Sequence, residues 1–583
     1  MSEIKMINLK INGIEVSVPA GTTILEAAKS IGINIPTLCY MKEINEIGAC
    51  RICVVEVKGA RSMVASCVYP VSEGMEVTTD SEKVISARKT TLELMLSDHR
   101  KDCLSCERNL KCELQKLANE YGCDAYRFGG ATSKADDVDV STDYLVRDNS
   151  KCILCRRCIA TCNKLQTVAV IGANERGFKT NVSCAFEEGL GNSPCVACGQ
   201  CINVCPTGAL TEKSEIAEVK KAIADPEKIV VVAAAPAVRA GLGEEFGNPI
   251  GTNVEGKMYT AMRRLGFDKI FDVNFSADMT IVEEANELLE RVKNGGTLPM
   301  ITSCSPGWVR FLEFYYPELI PNLSTCKSPQ QMLGALIKTY WADKNGIDPK
   351  NIYVVSVMPC IAKKAEKLRD GESENGLPDI DASLTTRELA KLIREKGIMF
   401  NDLPDGTSDS PLGDYSGAGV IFGATGGVME AALRTAVEKL SGEELKKLDF
   451  TDVRGMEGIK EATYEVNGLK IKVAVASGLK NAKTLCEAIK AGKCDYHFIE
   501  IMCCPGGCVN GGGQPILDAY TRRNVDYKSL RAQALYNKDS ASKIRKSHEN
   551  PFVKEVYASY LGEVGGHKAH EILHTHYVER KKY

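Results

Sequence analysis

The sequence predicts a multidomain protein, α+β up to about residue 215 and α/β beyond it, and three observations lead there. At 583 residues the chain exceeds the roughly 250–300 residues at which a single hydrophobic core divides. Its 25 cysteines fall in short-spaced groups, unlike the scatter of a small disulfide scaffold. After residue 215, apolar strand-like runs alternate with helix-like stretches, the pattern of a sheet covered by helices.

Charge is balanced, 73 Lys and Arg against 76 Asp and Glu, so neither a nucleic-acid groove nor a polybasic membrane contact is expected. The opening MSEIKMINLKING shows no apolar segment with a cleavage site, and the most apolar run, 229–238, is far short of the roughly 20 residues of a membrane span. A cytoplasmic protein with reduced thiols is expected, and bunched reduced thiols point to metal.

Residues 1–80 alternate like short strands at 7–10 and 15–18, with a helix over 23–30, which suits a β-grasp. They carry Cys39-x10-Cys50-x2-Cys53-x13-Cys67. Soft thiolates beside Gly48 and Ala49, where a loop must wrap closely, fit a 2Fe-2S centre, with zinc as the alternative. Residues 81–125 read as helical and charged around His99-x3-Cys103-x2-Cys106-x5-Cys112. By spacing alone, one imidazole and three thiolates suit zinc as well as a 4Fe-4S centre. Their place between two electron-transfer modules favours the cluster, whose potential a neutral imidazole tends to raise.

The polar stretch 129–144 reads as a linker. In 145–212, Cys152-x2-Cys155-x2-Cys158-x3-Cys162 and Cys195-x2-Cys198-x2-Cys201-x3-Cys205 form the doubled run of two-cluster ferredoxins. The last thiolate of each run crosses over, so Cys152, Cys155, Cys158 and Cys205 hold one cubane and Cys195, Cys198, Cys201 and Cys162 the other. Zinc has no use for eight ligands at this spacing.

Strand-like runs follow at IVVVAAAP, MITSC, NIYVVSVMPC, GVIFGA, KVAVASG and HFIEIMCC, separated by helix-like stretches such as 281–293 and 328–343. Three of these runs end on cysteine, and open α/β sheets bind ligands beyond the carboxyl ends of their strands. One metal site fed by several strand ends is therefore expected. From about residue 520 the chain reads as helical and polar. The histidines of HKAHEILHTHY (567–577) have no assigned role, nor have Cys123, Cys184, Cys326, Cys486 and Cys494.

Order and spacing over 1–210 resemble the electron-transfer half of FeFe-hydrogenases and the equivalent subunit of respiratory complex I. The second half separates the two: TSCSPGW (302–308), MPCIAKKAE (358–366) and EIMCCPGGCVNGGGQP (500–515) resemble the FeFe-hydrogenase signatures. The resemblance covers nearly the whole chain. It extends to the clostridial type and to the large subunit of multi-subunit, NAD-linked, electron-bifurcating hydrogenases of anaerobes.

It implies a β-grasp 2Fe-2S domain (1–80), a His-ligated 4Fe-4S domain (81–125), a two-4Fe-4S ferredoxin-like domain (145–212) and an α/β H-cluster domain (213–583) with a small-subunit-like tail. The H-cluster of that family is a 4Fe-4S cubane joined through a thiolate to a diiron unit carrying CO, cyanide and a bridging dithiolate amine. The resemblance implies that Cys360 and Cys504 ligate the cubane, that Cys508 bridges, that Lys363 hydrogen-bonds a cyanide, and that Met358 and Met502 pack on the diiron unit. The glycines after Cys508 would let backbone pass close to the inorganic centre.

At TSCSPGW the chain departs from the commoner form with two cysteines before the proline. Taken literally, Cys304 carries protons and Ser305 is the fourth cubane ligand. A hydroxyl is a harder and less acidic ligand than a thiol, so Cys304 and Cys503 stay open as alternatives. Glu284 and Glu287, at i and i+3, share a helix face. Residue type alone makes that face solvated; the resemblance makes Glu284, Glu287 and Ser324 the relay from Cys304 to the surface.

The expected activity is reversible interconversion of hydrogen with protons and electrons. No G-x-G-x-x-G stands at a strand-to-helix junction, so nucleotide chemistry is expected on partners: ferredoxin, or flavin- and NAD(P)-binding subunits of a bifurcating complex. A non-catalytic electron-transfer or sensory protein, or a complex I-type subunit, would be expected to lack Cys304 in the first case and the MPC and PGGC blocks in the second.

Overall fold

The computed structural model describes residues 5–582 except 130–136, 375, 446 and 457. In the first domain the alternation of Met6–Ile11 turns Ile7, Leu9 and Ile11 inward. This strand pairs antiparallel with Ile14–Pro19 across Asn12-Gly13, both at positive φ as a tight hairpin turn requires, and parallel with Glu76–Thr78. Val54–Val57 and Val64–Ala65 complete a five-stranded sheet, on which Ile24–Ser30 packs. Thr23 caps that helix, accepting from the Glu26 N–H at 3.3 Å.

Helices Glu82–Ser97 and Glu113–Glu120 flank the His99 to Cys112 group. Next, Leu145–Asp148 and Leu210–Glu212 pair antiparallel, and each cysteine run leads into a short helix, Arg157–Ala160 or Gln200–Val204. Of the expected linker, 130–136 lie outside the described residues, and its second half is no linker. Val138–Asp139 is an edge strand on Leu145–Asp148, held because half-buried Asp139 pairs with Arg147 at 3.1 Å and accepts from the Leu190 N–H.

The last domain has two four-stranded sheets. One is wholly parallel, in the order Lys269–Asp272, Ile229–Ala234, Ile352–Met358, Ala382–Thr385. The other runs Met300–Ile301, Phe498–Met502, Leu469–Ser477, Ile459–Val466, with only the last strand antiparallel. The helix Val273–Asn294 starts eight residues before the expected stretch, where Asp272 caps it by accepting from the Asn274 N–H, and it packs in the cores on both sides. GVIFGA is not a strand: Gly417–Ile421 is a helix laid on that long helix, with Gly419 against the Asn274 carbonyl. A short apolar run carries no period by which to tell the two apart.

Helices Tyr527–Ala541, Pro551–Val556 and His567–Leu573 wrap this domain. Glu113 of the His/Cys domain receives both Arg157 and Arg522, and Glu212 of the ferredoxin-like domain receives Arg387. Among the described residues no helix is long and apolar enough to cross a membrane.

Candidate active site

Four strand ends converge on one cavity. Ala235 and Pro236 follow the first strand, Met358, Pro359 and Cys360 the second, Cys304 and Ser305 the third, and Met502, Cys503 and Cys504 the fourth; Cys508 closes the loop beyond. Cys304, Cys360 and Cys508 keep some accessible surface, but it faces this cavity: all three thiols are deep in the protein, and burial raises their pKa, that of Cys508 to about 12. The Cys360 thiol is raised next by Cys504 and then by Cys508, so these three sulfurs stand close enough to feel one another. Lys363 is buried on the same wall, donating to Ser328 Oγ at 2.7 Å and to Glu366 at 2.8 and 3.1 Å. Met358 and Met502 are buried and line the cavity.

The N-terminal thiols and those of the two runs at 152–205 also gather in space. Cys39, Cys50, Cys53 and Cys67 are buried together, with Cys39 in hydrogen-bonding range of Cys50 and Cys67, and Cys53 of Cys67. After burial, Cys158 feels Cys155, Cys152 and Cys205 most, whereas Cys201 feels Cys198, Cys195 and Cys162, so the crossing of the two runs is present in space. Cys155 is flanked by Leu154 and Arg156 at positive φ and Cys198 by Ala197 and Gly199 likewise, a repeated curl that turns successive backbone N–H groups inward. His99 is buried at the end of its helix, while Cys103, Cys106 and Cys112 are half-buried. The Cys112 sulfur caps the following helix through the Gln115 N–H at 3.5 Å.

On the far wall, Glu284 lies fully buried in the long helix, contrary to a solvated face. Neither of its oxygens has a hydrogen-bond partner among the described residues. Burial, reinforced by Glu287, pushes its carboxyl up to about 8; Ser324 and the Ser303 N–H act on it too weakly to offset that. One turn on, half-buried Glu287 accepts from Ser324 Oγ at 2.9 Å, from the Thr325 N–H and from Arg291 at 2.6 Å. Burial and then Glu284 raise the Cys304 thiol well above its ordinary value, so at neutral pH the thiol and the carboxyl both hold protons.

Several residues here were not singled out from the sequence. Arg291 stands at i+4 from Glu287 and Glu366 at i+3 from Lys363, spacings that do signal a pair on a helix. His574 gave no such signal. It is buried rather than on a solvated helix, bonded to Thr325 Oγ1 at 2.8 Å and Glu283 at 3.3 Å. The glycines after Cys508, of which Gly511 lines the cavity, also serve close packing. A Cβ at Gly511 would lie 1.9 Å from the Pro359 carbonyl, and one at Gly512 2.6 Å from that of Cys198, so they bring protein backbone against protein backbone.

The donor set fits the expected group: three mutually sensed thiols and two thioethers face an apolar chamber, with one cation anchored at its wall. Zinc would need four convergent ligands and no such chamber.

Comparison with known proteins accords with this geometry. Residues 228–512 match the model of the iron only hydrogenase large subunit, C-terminal domain, and 525–580 that of the iron hydrogenase small subunit. Residues 4–82 match a 2Fe-2S iron-sulfur cluster binding domain, 88–127 the iron-sulfur binding region of NADH-ubiquinone oxidoreductase-G, and 143–211 the ferredoxin-like domain of NADH-quinone oxidoreductase subunit 3. The chain is 49% identical to the NADP-reducing hydrogenase subunit HndD of Solidesulfovibrio fructosivorans, over 99% of its own length and 100% of the relative's. It is 46% identical to iron hydrogenase 1 of Clostridium pasteurianum, over 97% and 99%. An apo FeFe-hydrogenase structure from Chlamydomonas reinhardtii superposes with a TM-score of 0.56 at 44% identity, covering 63% of this chain and all of that one. With its strand ends meeting in a thiol-lined chamber and its likeness running from end to end, the chain belongs to the FeFe-hydrogenase family, which interconverts hydrogen with protons and electrons at an H-cluster served by 2Fe-2S and 4Fe-4S centres.

Proposed function

We propose that this chain is the hydrogen-converting subunit of an NAD(P)-linked, electron-bifurcating complex, exchanging electrons with ferredoxin and with flavin- and NAD(P)-binding partner subunits in the cytoplasm. The observation that carries this reading is the type of the modules at 88–127 and 143–211, which match NADH oxidoreductase models in a chain without a G-x-G-x-x-G fingerprint. The likeness to an NADP-reducing hydrogenase subunit supports it.

Within the chain, domains bounded near 1–80, 81–125, 145–212 and 213–583 each hold their centres. Cys39, Cys50, Cys53 and Cys67 would hold the 2Fe-2S cluster, and His99, Cys103, Cys106 and Cys112 a 4Fe-4S cluster. The two crossed sets at 152–205 would hold two more. Cys360, Cys504 and Cys508 would hold the H-cluster, which when bound supplies the redox-active iron and basic amine at which hydrogen is made or split. Met358 and Met502 exclude water around it, and Lys363, fixed by Glu366 and Ser328, presents a cation to its anionic ligands. Cys304 holds a proton on Sγ at the cavity wall. Glu284 receives it, and the Ser324 hydroxyl, bonded to Glu287, leads it out beside Arg291. The placing of Cys304 between the chamber and Glu284 favours turnover over a non-catalytic electron-transfer or sensory role.

The test is to purify the matured chain alone and together with its co-purifying partners, confirm CO and cyanide bands by infrared spectroscopy, and follow hydrogen-driven reduction of a viologen dye and of NAD(P)⁺. The chain alone is expected to reduce the dye and not the nucleotide, and the complex to reduce both. Nucleotide reduction by the isolated chain at the rate of the complex would refute the partner assignment.

A further inference from the structure

We infer that Cys503, rather than Ser305, supplies the fourth thiolate of the H-cluster cubane. This rests on the reading of Cys360, Cys504 and Cys508 as ligands of that cluster and names the position they leave open.

Met300–Ile301 and Phe498–Met502 are adjacent parallel strands in which Ile301 stands opposite Ile499. Carried forward, that register sets Ser305 opposite Cys503, and the Cys503 N–H indeed donates to Ser305 Oγ at 3.2 Å. The serine and the extra cysteine thus face each other across one strand spacing of about 4.8 Å, and both line the cavity. Iron in a sulfide cluster favours soft, readily deprotonated sulfur over an alcohol. A hydroxyl at one of two neighbouring positions and a thiol at the other therefore leaves the thiol as the better donor.

The thiol also has a built seat. Cys503 is buried, and its Sγ lies in hydrogen-bonding range of the Cys504 and Cys198 thiols. A Cβ at residue 307 would come within 2.7 Å of that sulfur, so Gly307 is what leaves room for it. The buried Gln166 amide donates to the Cys503 carbonyl at 3.2 Å and reaches Sγ at 3.9 Å, the kind of N–H contact that steadies a cluster thiolate. Loading the cubane releases the Cys503 thiol proton to solvent. It also brings a ligand of this cubane against Cys198, a ligand of its neighbour, and shortens the electron path between them.

The test uses the full chain produced without diiron maturation and reconstituted anaerobically, reading iron and sulfide per chain and the electron paramagnetic resonance spectrum of the reduced protein. Cys503→Ala is expected to lose one cubane's iron and its signal, Ser305→Ala to keep both, and the double variant Cys503→Ala with Ser305→Cys to regain them. Retention in Cys503→Ala, or loss in Ser305→Ala or Cys304→Ala, overturns the assignment. If Cys503→Ala does not fold, the double variant and Ser305→Ala still decide. Should Cys360→Ala and Cys504→Ala also keep all their iron, the cubane reading itself fails rather than the choice of its fourth ligand.

Discussion

The two walls of the cavity are made of different materials. Toward the ferredoxin-like domain the wall is sulfur and backbone: Cys504 Sγ lies 3.9 Å from the Cys198 carbonyl, and Gly512 packs on Gly199. Toward the long helix stand Cys304, Glu284, Ser324 and Glu287, the proposed proton relay. Electrons cross non-bonded gaps, so one wall needs only fixed spacing. Protons move between groups of comparable affinity, so the other wall needs an acid such as Glu284, whose pKa burial has raised toward neutrality.

That contrast can be broken at either wall. The largest effect is expected from Cys504→Ala, which removes a proposed cluster ligand: turnover falls to background and one cubane's iron is lost, checked by hydrogen evolution assay and iron analysis. Cys304→Ala leaves the metal side whole. The CO and cyanide infrared bands remain while turnover drops by roughly 10²–10⁴-fold, the usual worth of a positioned acid or base.

Glu284→Gln, which keeps shape but cannot ionise, should lower turnover by roughly 10²-fold. It also has a signature in stability. The native carboxyl, raised to about 8 from an ordinary 4.5, binds a proton that the unfolded chain gives up, so stability declines as pH rises from about 4.5 to about 8. The glutamine variant escapes that decline and gains a few kcal/mol, roughly, over wild type by pH 8, read as a melting difference that widens with pH. At the other extreme, Lys391→Ala removes a solvent-exposed pair with Glu107, at 2.8 Å, between the His/Cys domain and the catalytic domain. It should cost under about 1 kcal/mol and leave turnover unchanged.

The electron wall was legible in the sequence and the proton wall much less so. Cysteine spacing is a local signal, so the nearness of Cys205 to the first run and of Cys162 to the second could be read from two short runs, and the strand-end cysteines do line one cavity. Glu284 and Glu287 looked alike as two carboxylates on a helix. Only tertiary burial separates a fully enclosed Glu284 from a half-buried Glu287 held by Arg291. His574 and Thr325 come within bonding distance through a fold-back of 249 residues, which no window of sequence contains. GVIFGA misled for a related reason: six apolar residues carry too little period to tell a buried helix from a strand.

Glu113 joins three segments at once, since Arg157 and Arg522 both close on its carboxylate from separate domains. Arg157 is wholly enclosed, so parting this junction would strand a buried cation, a loss of roughly 3–5 kcal/mol. One buried carboxylate thus ties the His/Cys module, the ferredoxin-like module and the catalytic body together, and these segments cannot part there without breaking a charge pair.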